Sequence, residues 1–156
     1  MRVMILGIGN ILMSDEGIGV RVVEEFGRRH RLPEGVELID GGTSGMDMLD
    51  SLAGLDHLIV VDAVRSGDPP GTCIRLEDDE VPALFQTRLS PHQLGLSDVL
   101  ASLKLMDEYP GHIVLLGCEP DSLAVGMGLT PAIEAQIEPL VAGVQAELAA
   151  IGVRVE

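Results

Sequence analysis

The apolar positions of the chain follow two periods. Residues 2–8, RVMILGI, are a short β-branched and aliphatic run stopped by Gly9-Asn10, the pattern of a buried strand. After the next loop the period changes. Ile18, Val22 and Phe26 recur every four residues while Arg21, Glu24, Glu25 and Arg28 take the other side. That spacing predicts an amphipathic helix, with Ser14 or Asp15 available to cap its first turn. A second strand is expected at 36–40, VELID, closed by Gly41-Gly42 and followed by a helix over 44–53. The third, HLIVVDAV at 57–64, is a continuous apolar run, which implies burial on both faces.

Strand, helix, strand, helix, strand in that order specifies a doubly wound parallel sheet. The next step breaks the pattern. Only about eight residues, rich in Gly and Pro, separate Ala63 from TCIRLE at 72–77, whereas a parallel crossover needs roughly a dozen. Residues 72–77 are therefore expected as an antiparallel edge strand. DDEVPALF then leads through a loop to a helix over 91–108, a strand HIVLLGCE at 112–119, and a last helix over 131–150 opened by Thr130-Pro131. The expected fold is α/β and three-layered: a doubly wound, mostly parallel five-stranded sheet with helices on both faces and one antiparallel edge strand. One domain is expected across residues 1–156. The stretch PDSLAVGMGLTP, 120–131, shows no clear element.

Composition narrows the class. Hydrophobic residues make up 46% of the 156 positions but aromatics only 2%, so the core must be aliphatic and methionine-filled. No linker, repeat or low-complexity stretch divides the chain. No segment approaches the roughly 20 apolar residues of a membrane span, and the N-terminal run is short for a secretory signal. A soluble cytoplasmic protein is expected. Cys73 and Cys118 lie in apolar, strand-like contexts outside any CxxC pair, which points to core residues and away from a thiolate zinc site. A formal net charge of −15 argues against nucleic acid and membrane partners, because its field repels polyphosphate and anionic lipid.

Ligands of an open α/β sheet bind at the carboxyl ends of strands, where the strand order reverses. Glu16 follows the first strand, and Asp62 is the only charge near the end of the third; both are expected at one crevice. A lone buried carboxylate costs several kcal/mol unless it is paired, hydrogen-bonded or bound to a cation. His92, placed by Ser90-Pro91 at a helix start, is expected at the same end. His30, His57 and His112 fall at the opposite, amino-terminal edge. Glu, Asp and His form a mixed oxygen and nitrogen donor set for a first-row divalent cation, without choosing among zinc, nickel, iron and manganese. A nucleotide is not expected. In GIGNIL, Leu12 occupies the third glycine position of the dinucleotide fingerprint, and Asp15-Glu16 would repel a pyrophosphate.

The segments GIGNILMSDEGIGV (7–20), DGGTSGMDML (40–49), VVDAV (60–64), SPHQLGLSDVL (90–100) and LLGCEP (115–120), in this order, resemble the hydrogenase maturation endopeptidases, which process nickel-iron hydrogenase large subunits. The resemblance covers essentially the whole chain. It implies that Glu16, Asp62 and His92 contact the metal and carry the catalytic site. Asp40 falls in a further family motif, as a site residue or as the cap of a turn, and Glu119 stands where the family more often has glutamine. The implied reaction is removal of a short C-terminal extension from a nickel-loaded large-subunit precursor, with the nickel supplied by that substrate. There is no H-E-x-x-H pair of a resident zinc protease and no G-x-S-x-G nucleophile elbow. Two mechanisms stay open: nickel polarises the carbonyl or activates water, or Glu16 or Asp62 is the base while the metal positions the chain. The alternatives are a self-contained metallopeptidase with another substrate and a non-catalytic nickel-dependent chaperone or scaffold.

Overall fold

Strands β1 (Val3–Ile8), β2 (Val36–Gly42), β3 (His57–Ala63), β4 (Cys73–Glu77) and β5 (His112–Cys118) hydrogen-bond in the order β2-β1-β3-β5-β4. The computed structural model describes residues 1–86 and 90–156. Every strand pair is parallel except β4 with β5, so the short Gly/Pro connection does produce an antiparallel edge. Strand order reverses between β1 and β3, and the crevice lies at their carboxyl ends.

Successive residues of β1 feed opposite cores, as a pleated strand requires. Val3 and Ile5 pack with Val22 and Phe26 of α1 (Ile18–Arg29) and with Val144 and Leu148 of α6 (Ile137–Ala150). Met4 and Leu6 pack on the other face with Leu52 of α2 (Leu49–Leu52), Val81 of α3 (Glu80–Phe85) and Leu96 of α4 (Pro91–Leu105). The result is the expected helix-sheet-helix layering, with cores that are aliphatic apart from Phe26 and Phe85. Of the seven methionines only Met4 and Met48 are buried, so the cores are not methionine-filled as expected.

Gly9 of the false nucleotide fingerprint and Gly19 of α1 serve close backbone packing. Gly9 has φ +131°, and a Cβ there would fall 1.9 Å from the carbonyl oxygen of Glu16. The chain after β1 can thus fold back over its own end and set Glu16 beside the sheet. Gly19 lets α1 press on the strands, since a Cβ there would lie 2.1 Å from the Val61 carbonyl oxygen.

The structure departs from the expected elements where a local rule overrides the pattern. The helix over 44–53 is a 3-10 turn at Met46–Met48 plus the single turn of α2, which bury only Met48 and Leu52 and give a longer helix nothing to pack. Helix α3 was not expected; Pro82 lies in its first turn, where a missing N–H costs nothing. The final helix is split into α5 (Pro131–Glu134) and α6, because the ring of Pro139 opposes the carbonyl of Ala135, four residues earlier. Neither Ser14 nor Asp15 caps α1; they lie in a 3-10 turn at Ser14–Gly17, and Gly17 holds the cap position with no side-chain bond. Cys118 is buried as expected, but Cys73 is exposed, opposite Cys118 on the edge strand. The loop expected before α4 includes residues 87–89, which lie outside the described residues.

Gly19→Ala should cost about 3 kcal/mol of stability, because its methyl group meets backbone instead of a movable side chain. Urea unfolding checks this: a midpoint equal to wild type would mean that α1 can lift from the sheet freely.

Candidate active site

Ser90, Pro91, His92 and Gln93 form a helix start that aims two side chains at the sheet. The Ser90 hydroxyl accepts from the Gln93 N–H at 3.4 Å, and the Gln93 side-chain oxygen accepts from the Ser90 N–H at 3.1 Å. This reciprocal capping box, with Pro91 at the first helical position, fixes the first turn of α4. His92 and Gln93 are consequently buried at the carboxyl end of β3.

There the three expected residues meet. Nδ1 of His92 lies 2.8 Å from Oε1 of Glu16, and Nε2 lies 2.9 Å from Oδ1 of Asp62. Asp62 is fully buried, and its second oxygen accepts from the Gln93 side-chain amide at 2.6 Å. The same amide donates to the Ala63 carbonyl at 3.0 Å, so Gln93 ties the carboxylate to the strand end. The arrangement is a chain, carboxylate to imidazole to carboxylate, with the ring between the two acids.

Burial raises the pKa of Asp62 above the usual carboxylate range, against the hydrogen bonds and charge of His92 and the Gln93 amide. Burial works against a charged His92, but the hydrogen bond and charge of Asp62, then those of Glu16, outweigh it and raise the imidazole pKa. A cation held between these groups would have to displace the proton that the acids favour on the ring. Glu16 and His92 open on a cavity of about 290 Å³, whose walls also include Met13, Val64, Arg65 and Leu123. Asp62 stands behind the ring and does not line that cavity.

Residues 20–147 match the family of hydrogenase maturation proteases. The chain is 51% identical to the hydrogenase 2 maturation protease of Escherichia coli K12, over 98% of this chain and 94% of that one. The chain belongs to the hydrogenase maturation protease family. It is also 45% identical to the hydrogenase expression/formation protein HupD of Rhodobacter capsulatus, over 99% of this chain and 74% of that one. The solved structure of the E. coli hydrogenase maturating endopeptidase HybD superposes with a TM-score of 0.97 at 51% identity, covering 99% of this chain and 96% of that chain.

In this maturation protease three further polar residues shape the site, and sequence reasoning had assigned none of them its role. Gln93 positions Asp62; its signal was the S-x-x-Q capping pattern. Glu119 is buried, and one of its oxygens accepts from the N–H groups of Ser66, Gly67 and Asp68 at 2.9, 2.9 and 3.0 Å, closing the loop after β3. Asp15 is fully buried and accepts from the N–H groups of Asp121, Ser122 and Thr130 and from the Thr130 hydroxyl. Asp40 is exposed at the end of β2 and lines a separate depression with Gly9 and Thr43.

His57 and His112 lie at the amino-terminal edge as expected, with ring nitrogens 3.2 Å apart. Among the described residues, Glu77, Asp78 and His112 have donor atoms close enough to share an ion. However, Oε2 of Glu77 already faces both His112 Nε2 at 2.7 Å and the Arg75 guanidinium at 3.1 Å. Asp78 accepts from the Ile113 N–H at 3.2 Å. A guanidinium on the would-be ligand oxygen repels a cation, so this group is a structural ion pair.

Burial opposes ionisation of Asp15, but the donors from Ser122, Thr130 and Asp121 outweigh it and hold its pKa below the ordinary 3.8. A depressed carboxylate pKa gives stability that is present above the unfolded value and lost as pH falls through the folded one. Asp15→Ala should cost about 3 kcal/mol at pH 7, and the gap to wild type should narrow below the ordinary value of 3.8. Urea unfolding at neutral and acid pH tests it; an equal gap at both would rule out the charged hydrogen bonds as its source.

Proposed function

We propose that this maturation protease removes the C-terminal extension of a nickel-loaded hydrogenase large-subunit precursor, at a site formed by Glu16, Asp62 and His92. One observation carries the reading: in a chain of this family, an imidazole bridges two carboxylates at the mouth of a largely apolar cavity. Glu16 and His92 line the cavity, so they are the groups placed to meet the substrate's nickel and scissile bond. Asp62 holds the far nitrogen of the ring, fixing its orientation and raising its basicity. Nickel brought by the precursor supplies Lewis-acid polarisation of the carbonyl when it is bound.

Peptide hydrolysis adds water to the scissile carbonyl and delivers a proton to the leaving amine. Both oxygens of Asp62 are engaged, by His92 and by Gln93, which leaves Glu16 as the carboxylate free to take the proton from water. His92, favoured in its protonated form by the two acids, is suited to donate its proton to the leaving amine and to be reprotonated from Glu16, which has taken the proton of water. Residues 1–156 act as one domain, a reading supported by Val3 of the first strand and the terminal Val153 and Val155 sharing one core. We place the protein in the cytoplasm; two cysteines in 156 residues, on a chain with two buried apolar cores, are not the disulfide framework of a secreted domain. No helix among the described residues is long and apolar enough to cross a membrane.

Intact-mass analysis of the precursor tests this function. Wild-type protein should trim the nickel-loaded precursor and leave the nickel-free form at full mass. Glu16→Gln and His92→Ala should each slow trimming by at least about a hundredfold, and Asp62→Asn by about ten- to a hundredfold. A stable nickel-dependent complex with no mass change would instead make the protein a scaffold. Trimming of the nickel-free precursor by protein that retains its own zinc would make it a self-contained metallopeptidase.

A further inference from the structure

Segment 120–131 lacks a helix-forming or strand-forming pattern up to Thr130, yet it is firmly built. The Asp15 carboxylate accepts from the Asp121 and Ser122 N–H groups at 3.0 and 2.9 Å and from the Thr130 N–H and hydroxyl at 2.7 and 2.8 Å. The backbones also bond directly. The Ser14 N–H donates to the Gly126 carbonyl at 2.9 Å, and the Gly126 N–H donates to the Leu12 carbonyl at 2.8 Å. The Ser14 hydroxyl adds a bond to the Ala124 carbonyl at 2.7 Å. Residues 10–15 and 121–130 therefore form one hydrogen-bonded platform.

Apart from the exposed Asp121 at its edge, what the platform leaves outside is apolar. Leu12 is 53% exposed, Val125 89% and Met127 69%. Neither Leu12–Ser14 nor Leu123–Leu129 contains a charged residue, on a chain whose net charge is −15. Met13 and Leu123, from the same two segments, line the cavity onto which Glu16 and His92 open. The exposed side chains thus lie on the two segments that wall the candidate active site, with Leu12 also lining the separate depression that holds Asp40. A cluster of exposed apolar groups beside a site marks a binding surface.

We propose that this shelf docks an apolar segment of the precursor flanking the scissile bond, a proposal that rests on the precursor-processing function above. A carboxylate-imidazole site acts on a peptide bond and reads little sequence around it. The uncharged shelf supplies that selection by burying side chains of the bound segment, and it brings the bond from Leu12 and Val125 across Met13 into the cavity. A second copy of the chain is a poor occupant. It would cover the cavity mouth, and two surfaces of charge −15 repel.

The test compares a Leu12→Ser, Val125→Ser, Met127→Ser triple variant with a Leu105→Ser, Met106→Ser double variant. Leu105 and Met106 are also exposed but lie at the far end of α4, so they control for lost apolar surface in general. Binding of nickel-loaded precursor is measured by biolayer interferometry, with cleavage followed in parallel. The triple variant should bind and process with Kd and KM raised at least about tenfold and kcat within about twofold, while the double variant matches wild type. Equal Kd for the triple variant and wild type, or equal losses in both variants, overturns the shelf. So does a wild-type dimer in sedimentation that the triple variant lacks, because the occupant is then a second copy. Binding without cleavage by wild type would overturn the precursor-processing reading alone, and the Kd comparison would still judge the shelf. No binding by wild type overturns both.

Discussion

A carboxylate buried at the end of a central strand must be answered by donors, and Asp62 organises this end of the molecule for that reason. Its desolvation would be ruinous unless both oxygens were engaged. One is met by the ring of His92 and the other by the Gln93 amide, both from the first turn of α4. The start of that helix is thereby pinned over the carboxyl ends of the strands, and the second nitrogen of the same ring reaches Glu16. The requirement to satisfy one buried charge couples a strand, a helix start and the loop after β1.

Adjacent acids carry opposite tasks. Asp15 and Glu16 follow one another in the 3-10 turn, yet Asp15 faces the segment that ends at Thr130 and Glu16 faces the cavity. One charge is consumed in holding two loops together, and the other stays available for chemistry. Glu119 repeats the first role for the loop after β3, so the mouth of the crevice is framed by buried carboxylates that accept backbone N–H groups. Such bonds are charge-assisted and hold loops firmly where no helix or sheet ladder can.

Much of the fold was legible because its signals are local. Period and run length marked all five strands, and the short Gly/Pro connection after Ala63 marked the antiparallel edge. The same reasoning placed Glu16, Asp62 and His92 at one crevice, because strand ends and helix starts in a doubly wound sheet share a common side. It failed where a single side chain overrode the period, as at Pro139, or where a segment lacked enough buried positions to propagate a helix, as at 44–53. It also failed for Cys73, since exposure on an edge strand depends on what covers that edge.

The sequence by itself determined the layers, the antiparallel edge strand and which residue types stand at the strand ends, since these follow from periodicity and connection length. The strand order that puts the switch point between β1 and β3 came from the structure. Only the tertiary structure decided what each polar group does. Asp15 could have capped α1, but donors from residues more than a hundred positions away claim it. Gln93 could have been an ordinary capping residue, but burial turns its amide onto Asp62. Hydrogen-bond partners are assigned by proximity in space and by the cost of leaving a buried polar group unpaired, and neither is written in the local pattern of a chain.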